Sequence, residues 1–146
     1  MVTIDKIFHA SVVLKDIIRP TPLAKAYGIA EDCELYLKPE CLQKTGSFKL
    51  RGSGYKIAML SDEEKQKGVI ACSAGNHAQG VALAASKCGI SSLICLPDTA
   101  SSRFFYNHYT RIFRLSQERE SKAISCFAPF RIVSRSHLVQ MPKHFV

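Results

Sequence analysis

The chain has 146 residues, 47% of them hydrophobic, and a mean hydropathy of +0.01, which allows a buried core and excludes disorder throughout. No apolar run is longer than Val81 to Ala85, far short of a bilayer span, and the first residues lack the unbroken apolar stretch of a secretory signal. The formal charge of +8 is uneven: residues 1–100 hold 12 basic and 10 acidic residues (+2), residues 101–146 hold 8 and 2 (+6).

In chain order, Ile4, Ile7, Phe8, Val12 and Leu14 recur at helical spacing, with Thr3 as N-cap and Pro20 as a stop. Thr21-Pro22-Leu23 reads as a rigid extended turn. Glu34 to Lys38 alternates polar and apolar residues, as a strand does, and Pro39 ends it. Ser47 is placed to cap a helix reaching about Leu60. Ser61 with Glu64 has the spacing of a capping box, and Gly68 stands where a helix end favours a left-handed residue.

Val69 to Cys72 is a short apolar strand, followed by the small-residue loop Ser73-Ala74-Gly75-Asn76-His77. Val81, Ala84, Ala85 and Cys88 mark the inner face of a helix closed at Gly89, and Leu93 to Leu96 is a second buried strand stopped by Pro97. Strand, helix and strand in this order predict a parallel, right-handed βαβ unit and an α/β fold. In an open α/β sheet, ligands bind beyond the carboxyl ends of the strands. The 73–77 loop lies at such an end and opens a helix, so it suits a carboxylate or a phosphate. Lys44 to Gly52 places Lys49 in the first turn of another helix, behind Phe48. The positive end of a helix dipole favours a neutral amine, and a neutral amine can attack an aldehyde.

GSFKLRG at 46–52, followed by SAGNHAQG at 73–80 with 27 residues from Lys49 to Asn76, resembles the pyridoxal-phosphate enzymes of fold type II. More narrowly, it is similar to threonine dehydratase, the threonine ammonia-lyase or serine/threonine deaminase family. Thr21-Pro22-Leu23, Lys38-Pro39-Glu40, Lys65 to Val69 and Leu96-Pro97 extend the agreement, which covers residues 1 to about 99. The resemblance implies a partial fold type II architecture, an open parallel sheet with flanking helices, truncated here. It implies that Lys49 holds pyridoxal 5'-phosphate covalently, with Phe48 beside the ring and Asn76 bonded to the ring's phenolic oxygen. Ser73, Ala74, Gly75, Asn76 and His77 would bind the carboxylate of an amino-acid substrate, threonine or serine, which is deaminated to 2-oxobutanoate or pyruvate. Serine racemase shares the lysine motif and is the enzymatic alternative. Family members are homo-oligomers, but this chain is too short for that assembly to be carried over. Gly52 and Gly54 read as close-packing positions.

The six cysteines, at 33, 41, 72, 88, 95 and 126, include no CxxC pair, so no metal site is expected. They read as half-buried reduced thiols, which fits a cytoplasmic location. Two parts are therefore expected: residues 1–100 as the N-terminal portion of a catalytic domain, and 101–146 as a basic, glycine-free tail. The tail shows no persistent helical stripe and no clear strand alternation, and it reads like a shifted frame or a misjoined exon. A basic arm that binds nucleic acid usually carries a helical stripe or interleaved lysines, so no specific nucleic-acid partner is expected, and no membrane. The remaining alternative is a non-catalytic basic fragment. No consecutive glycines occur, so the family's phosphate-cupping loop is not found in this chain.

Overall fold

The computed structural model describes residues 2–29, 32–97, 110–115 and 138–140. Helix α1 spans Ile4–Val13, and the Thr3 hydroxyl accepts the Lys6 N–H at 3.4 Å. The expected apolar stripe forms on this helix but is not covered: Ile4, Ile7, Phe8 and Val12 are all exposed, Phe8 by 66%. Burial begins only at Leu14 and Ile17, where the chain meets the rest of the molecule. Helical periodicity prepares a face for burial without supplying the surface that covers it.

Strand β1, Ala24–Ala26, follows the Thr-Pro-Leu turn and pairs antiparallel with β2, Leu35–Leu37, in the register Ala24↔Leu37 and Ala26↔Leu35. A 3-10 turn at Glu40–Leu42 then leads to α2, Lys49–Ala58, which is shorter at both ends than the sequence suggests. Ser47 still serves it, its hydroxyl accepting the Lys49 N–H at 3.4 Å. At Gly54 a Cβ would lie 2.9 Å from Leu14 Cδ2 and 3.1 Å from Ile17 Cγ2, so the missing side chain lets α2 close onto the segment after α1. Gly52 does not share this role. A Cβ there would meet nothing within 4 Å, because Gly52 faces outward two residues away along the helix.

Helix α3, Asp62–Lys67, carries the full capping box between Ser61 and Glu64. Gly68 ends it at φ +79°, and a Cβ would lie 2.8 Å from the Ser91 carbonyl oxygen, so both conformation and space require glycine. The βαβ unit follows as expected: β3 (Val69–Cys72), α4 (Asn76–Lys87) and β4 (Ser92–Pro97), with the strands parallel from Val69↔Ser92 to Cys72↔Cys95. Ala78, Val81, Ala82, Ala84 and Ala85 bury the inner face of α4.

The sheet has the order β5-β4-β3-β6. Here β5 (Thr110–Leu115) runs parallel to β4, and β6 (Leu138–Gln140) runs antiparallel to β3. The sheet is thus parallel with one antiparallel edge. Residues 101–146 show no clear strand alternation in sequence, yet β5 and β6 form there. Strands of a parallel sheet need not alternate, since both faces can be covered, and their pairing is a long-range choice. The rest of the basic, glycine-free tail, residues 101–109, 116–137 and 141–146, lies outside the described residues. Among the described residues no helix is long and apolar enough to cross a membrane.

Leu50, Ile57, Ile70, Ile94, Val69 and Val81 are the largest fully buried side chains. Ile57→Ala should therefore cost about 2–5 kcal/mol through lost transfer energy and a residual cavity. A denaturant titration checks this; an unchanged midpoint would place Ile57 outside the working core.

Candidate active site

The candidate site is built where two helices begin. Helix α2 starts at Lys49 and α4 at Asn76, and the two approach each other at Gly80. A Cβ at Gly80 would lie 2.8 Å from Ser53 Oγ and 3.1 Å from both Leu50 N and the Lys49 carbonyl carbon. Helix α4 therefore rests on the backbone of Lys49 itself. Asn76 is one turn before Gly80, about 6 Å of helix rise. Ser53, buried beneath this contact, donates its hydroxyl to the Lys49 carbonyl at 2.9 Å.

The start of α2 is held from its other side by a polar cluster. Arg51 donates from Nε to Glu40 Oε2 and from Nη2 to Glu40 Oε1, both at 2.8 Å. The Thr21 hydroxyl donates to the same Oε1 at 2.6 Å and accepts from Arg51 Nη2 at 3.2 Å. The hydrogen bonds from Arg51 lead in holding the Glu40 carboxyl down to about 2, against the opposing push of burial. Buried Gln43 bonds both backbone groups of Arg19, accepting its N–H and donating to its carbonyl, each at 2.8 Å. Lys44 Nζ donates to the Ile17 carbonyl at 2.8 Å. Motif reading did not assign Glu40, Thr21, Gln43, Ser53 or Gly80 to this frame. The available signal was opposite charge at Glu40 and Arg51 across a turn.

Because the folded Glu40 carboxyl lies below its usual 4.5, its stabilisation is present above about pH 4.5 and is lost as pH falls toward 2. With the carboxylate partly screened, the effect is on the order of 1–2 kcal/mol. Glu40→Gln should flatten the acid limb of a stability–pH profile; an unchanged limb would remove the ion pair from the account.

Lys49 is half-buried, and its Nζ lies 4.8 Å from the centroid of the Phe48 ring, which is itself 58% exposed. Among the described residues no carboxylate forms a salt bridge with Lys49. Ser73 is half-buried, and its hydroxyl accepts the Gly75 N–H at 3.3 Å; Ala74, Gly75 and Asn76 are exposed. Asn76 and His77 lie in the first turn of α4 rather than in the preceding loop, so the loop proper is Ser73 to Gly75. Helix α4 opens at Gly75 with no side-chain cap. A half-buried amine without a carboxylate, an exposed carboxamide and an uncapped helix start suit an aldehyde, a ring hydroxyl and a carboxylate. The donor set thus fits the carbonyl and ring end of pyridoxal phosphate.

Residues 14–114 match the family of pyridoxal-phosphate dependent enzymes. The chain belongs to this family. The match passes residue 100 and ends within β5, further than the motif agreement reaches. An L-threonine ammonia-lyase of Thermotoga maritima is 52% identical over 99 residues, which is 66% of this chain and 25% of that protein. A serine racemase structure from Dictyostelium discoideum is 32% identical with a TM-score of 0.77, covering 88% of this chain and 44% of that one. Threonine deaminase isoform 2 of Solanum lycopersicum is 37% identical with a TM-score of 0.57, covering 68% and 30%. The chain therefore spans between a quarter and less than half of these relatives.

Proposed function

We propose that the chain carries the lysine-bearing and carboxylate-binding part of a pyridoxal-phosphate enzyme that deaminates L-threonine or L-serine in the cytoplasm. The observation supporting this most is the seating of α4 on the Lys49 backbone at Gly80, beside an uncapped helix start. Pyridoxal phosphate, when bound, supplies an electron sink for charge developing at the substrate Cα. Lys49 would hold it, with Phe48 against the ring and the Asn76 carboxamide donating to its phenolic oxygen. Once free, the Lys49 amine accepts the Cα proton at Nζ, acting as general base. Ser73, Ala74 and Gly75 are small enough for a carboxylate to approach their backbone, and the positive end of α4 favours its charge. His77, half-buried in the same turn, contributes through the backbone of the helix start. The likeness to L-threonine ammonia-lyase and to threonine deaminase supports a substrate whose β-hydroxyl leaves, threonine or serine.

A second reading, racemisation of serine, is favoured by the likeness to the Dictyostelium discoideum structure. Lys49 would then take the Cα proton from one face and a second donor would deliver a proton to the opposite face, while the hydroxyl stays. Products formed from L-serine at high protein concentration separate the two. Pyruvate in excess over D-serine, together with 2-oxobutanoate from threonine, supports deamination; D-serine in excess overturns it.

A further inference from the structure

Cys72 closes β3, and Cys95 lies directly beside it on β4, the two being register partners in a parallel pair. Register partners project from the same face of a sheet, and neighbouring strands run roughly 4.8 Å apart. A disulfide needs Cα atoms roughly 4.4–6.8 Å apart with their Cβ atoms on a common side, and adjacent parallel positions satisfy both. The neighbouring thiols act on each other, which draws Cys72 down to about 7 and pushes Cys95 up. Their exposures differ sharply. Cys72 is exposed, whereas Cys95 is only 2% exposed, so one sulfur is open to a reagent and the other is reached chiefly through its neighbour. Nothing in the proposed deamination uses either thiol.

We infer that Cys72 and Cys95 form a reversible oxidation site, in which a peroxide attacks at Cys72 and the pair closes to an intramolecular disulfide. The Cys72 sulfur, as thiolate, displaces hydroxide from the peroxide; the O–O bond breaks and a sulfenic acid forms. The Cys95 sulfur then attacks the Cys72 sulfur, the S–O bond breaks, and water leaves with the Cys95 proton. Two thiols lose two electrons and two protons, and the peroxide is reduced to two waters. A dithiol reductant reverses the change by exchange. The Ser73 N–H donates to the Cys95 carbonyl at 3.2 Å, so the closed pair pins the entry to the Ser73–Gly75 loop from both strands.

The test is to treat the 146-residue protein with one equivalent of hydrogen peroxide, block the remaining thiols, and map the tryptic peptides without reduction. Cys72 and Cys95 lie on different tryptic peptides, but Cys88 shares the second, so the map is run on wild type and on Cys88→Ser. The expected result is a single cross-link between the two peptides in both proteins, reversed by dithiothreitol and lost in Cys72→Ser and in Cys95→Ala. Amide exchange at Ser73 to Gly75 should slow in the oxidised form. In urea the cross-link should scatter over all cysteines, showing that the fold selects the pair. A cross-link that survives in Cys95→Ala, or oxidation of Cys72 to sulfinic acid with no partner, would overturn the inference. If Cys95→Ala does not fold, the exposed Cys72→Ser variant alone decides the matter.

Discussion

Borohydride reduction of the chain mixed with pyridoxal phosphate should fix the cofactor on Lys49, while threonine turnover by the same sample stays near background. Covalent capture requires an accessible amine at a start of α2 that α4 holds in place, and no phosphate cup. Lys49 is half-buried at a helix start, with an aromatic ring beside it and no carboxylate salt bridge among the described residues. Turnover requires more. The cofactor phosphate needs several convergent donors, and the chain contains no consecutive glycines to form the cup expected of the family. Losing one donor to a developing charge costs roughly 3 kcal/mol, or a factor of about a hundred or more in rate, and a whole cup costs several times that. A ring tethered at one end also cannot hold the substrate Cα–H bond in line with the amine, so orientation falls together with affinity. A reduced Lys49 resists trypsin, leaving an uncut peptide through Leu50 and Arg51 that mass spectrometry identifies. Lys49→Ala should abolish that peptide. Label spread evenly over the lysines would overturn the site assignment, and robust turnover lost in Lys49→Ala would overturn the expectation of weak activity.

The parts legible from sequence are those whose signals are local. The capping box at Ser61 and Glu64, the glycine at 68 and the alanine-rich face of α4 each depend on residues within a turn or two, and each forms as read. The βαβ unit is legible because two apolar runs flank one amphipathic helix, the order that a parallel crossover connection needs. Elements that depend on distant surfaces were not. The stripe on α1 has the right period, yet Phe8 is left exposed because only the end of the helix meets α2. Pairing of β5 and β6 with the sheet is a choice among distant segments that periodicity does not encode. The site follows the same division. Lys49 and the 73–77 run are visible as local motifs, whereas the Glu40, Arg51 and Thr21 cluster joins residues up to 30 positions apart. The two glycines of α2 show the limit most clearly: one spacing, one residue type, and opposite surroundings.

That contrast gives the last expected result, since glycine to alanine should change sign along one packed pair of helices. Alanine in a helix interior is favoured over glycine by roughly 1 kcal/mol. At Gly52 nothing opposes this gain, because the added methyl meets nothing within 4 Å, so Gly52→Ala should stabilise the protein by about 0.5–1 kcal/mol. At Gly80 the same methyl lies 2.8 Å from Ser53 Oγ and 3.1 Å from backbone atoms of Lys49 and Leu50. Ser53 is buried and already bonded to the Lys49 carbonyl, so it can turn away only by breaking that bond. The backbone atoms can yield only if the helices part. Overpacking of this kind costs about 1–3 kcal/mol, which exceeds the propensity gain. Gly80→Ala should therefore destabilise the fold and separate α4 from the first turn of α2. The separation is read independently of stability: at a temperature where both variants are fully folded, Gly80→Ala should lower borohydride capture at Lys49 several-fold while Gly52→Ala leaves it unchanged. Equal capture in the two variants would show that the seating of α4 does not set the environment of Lys49.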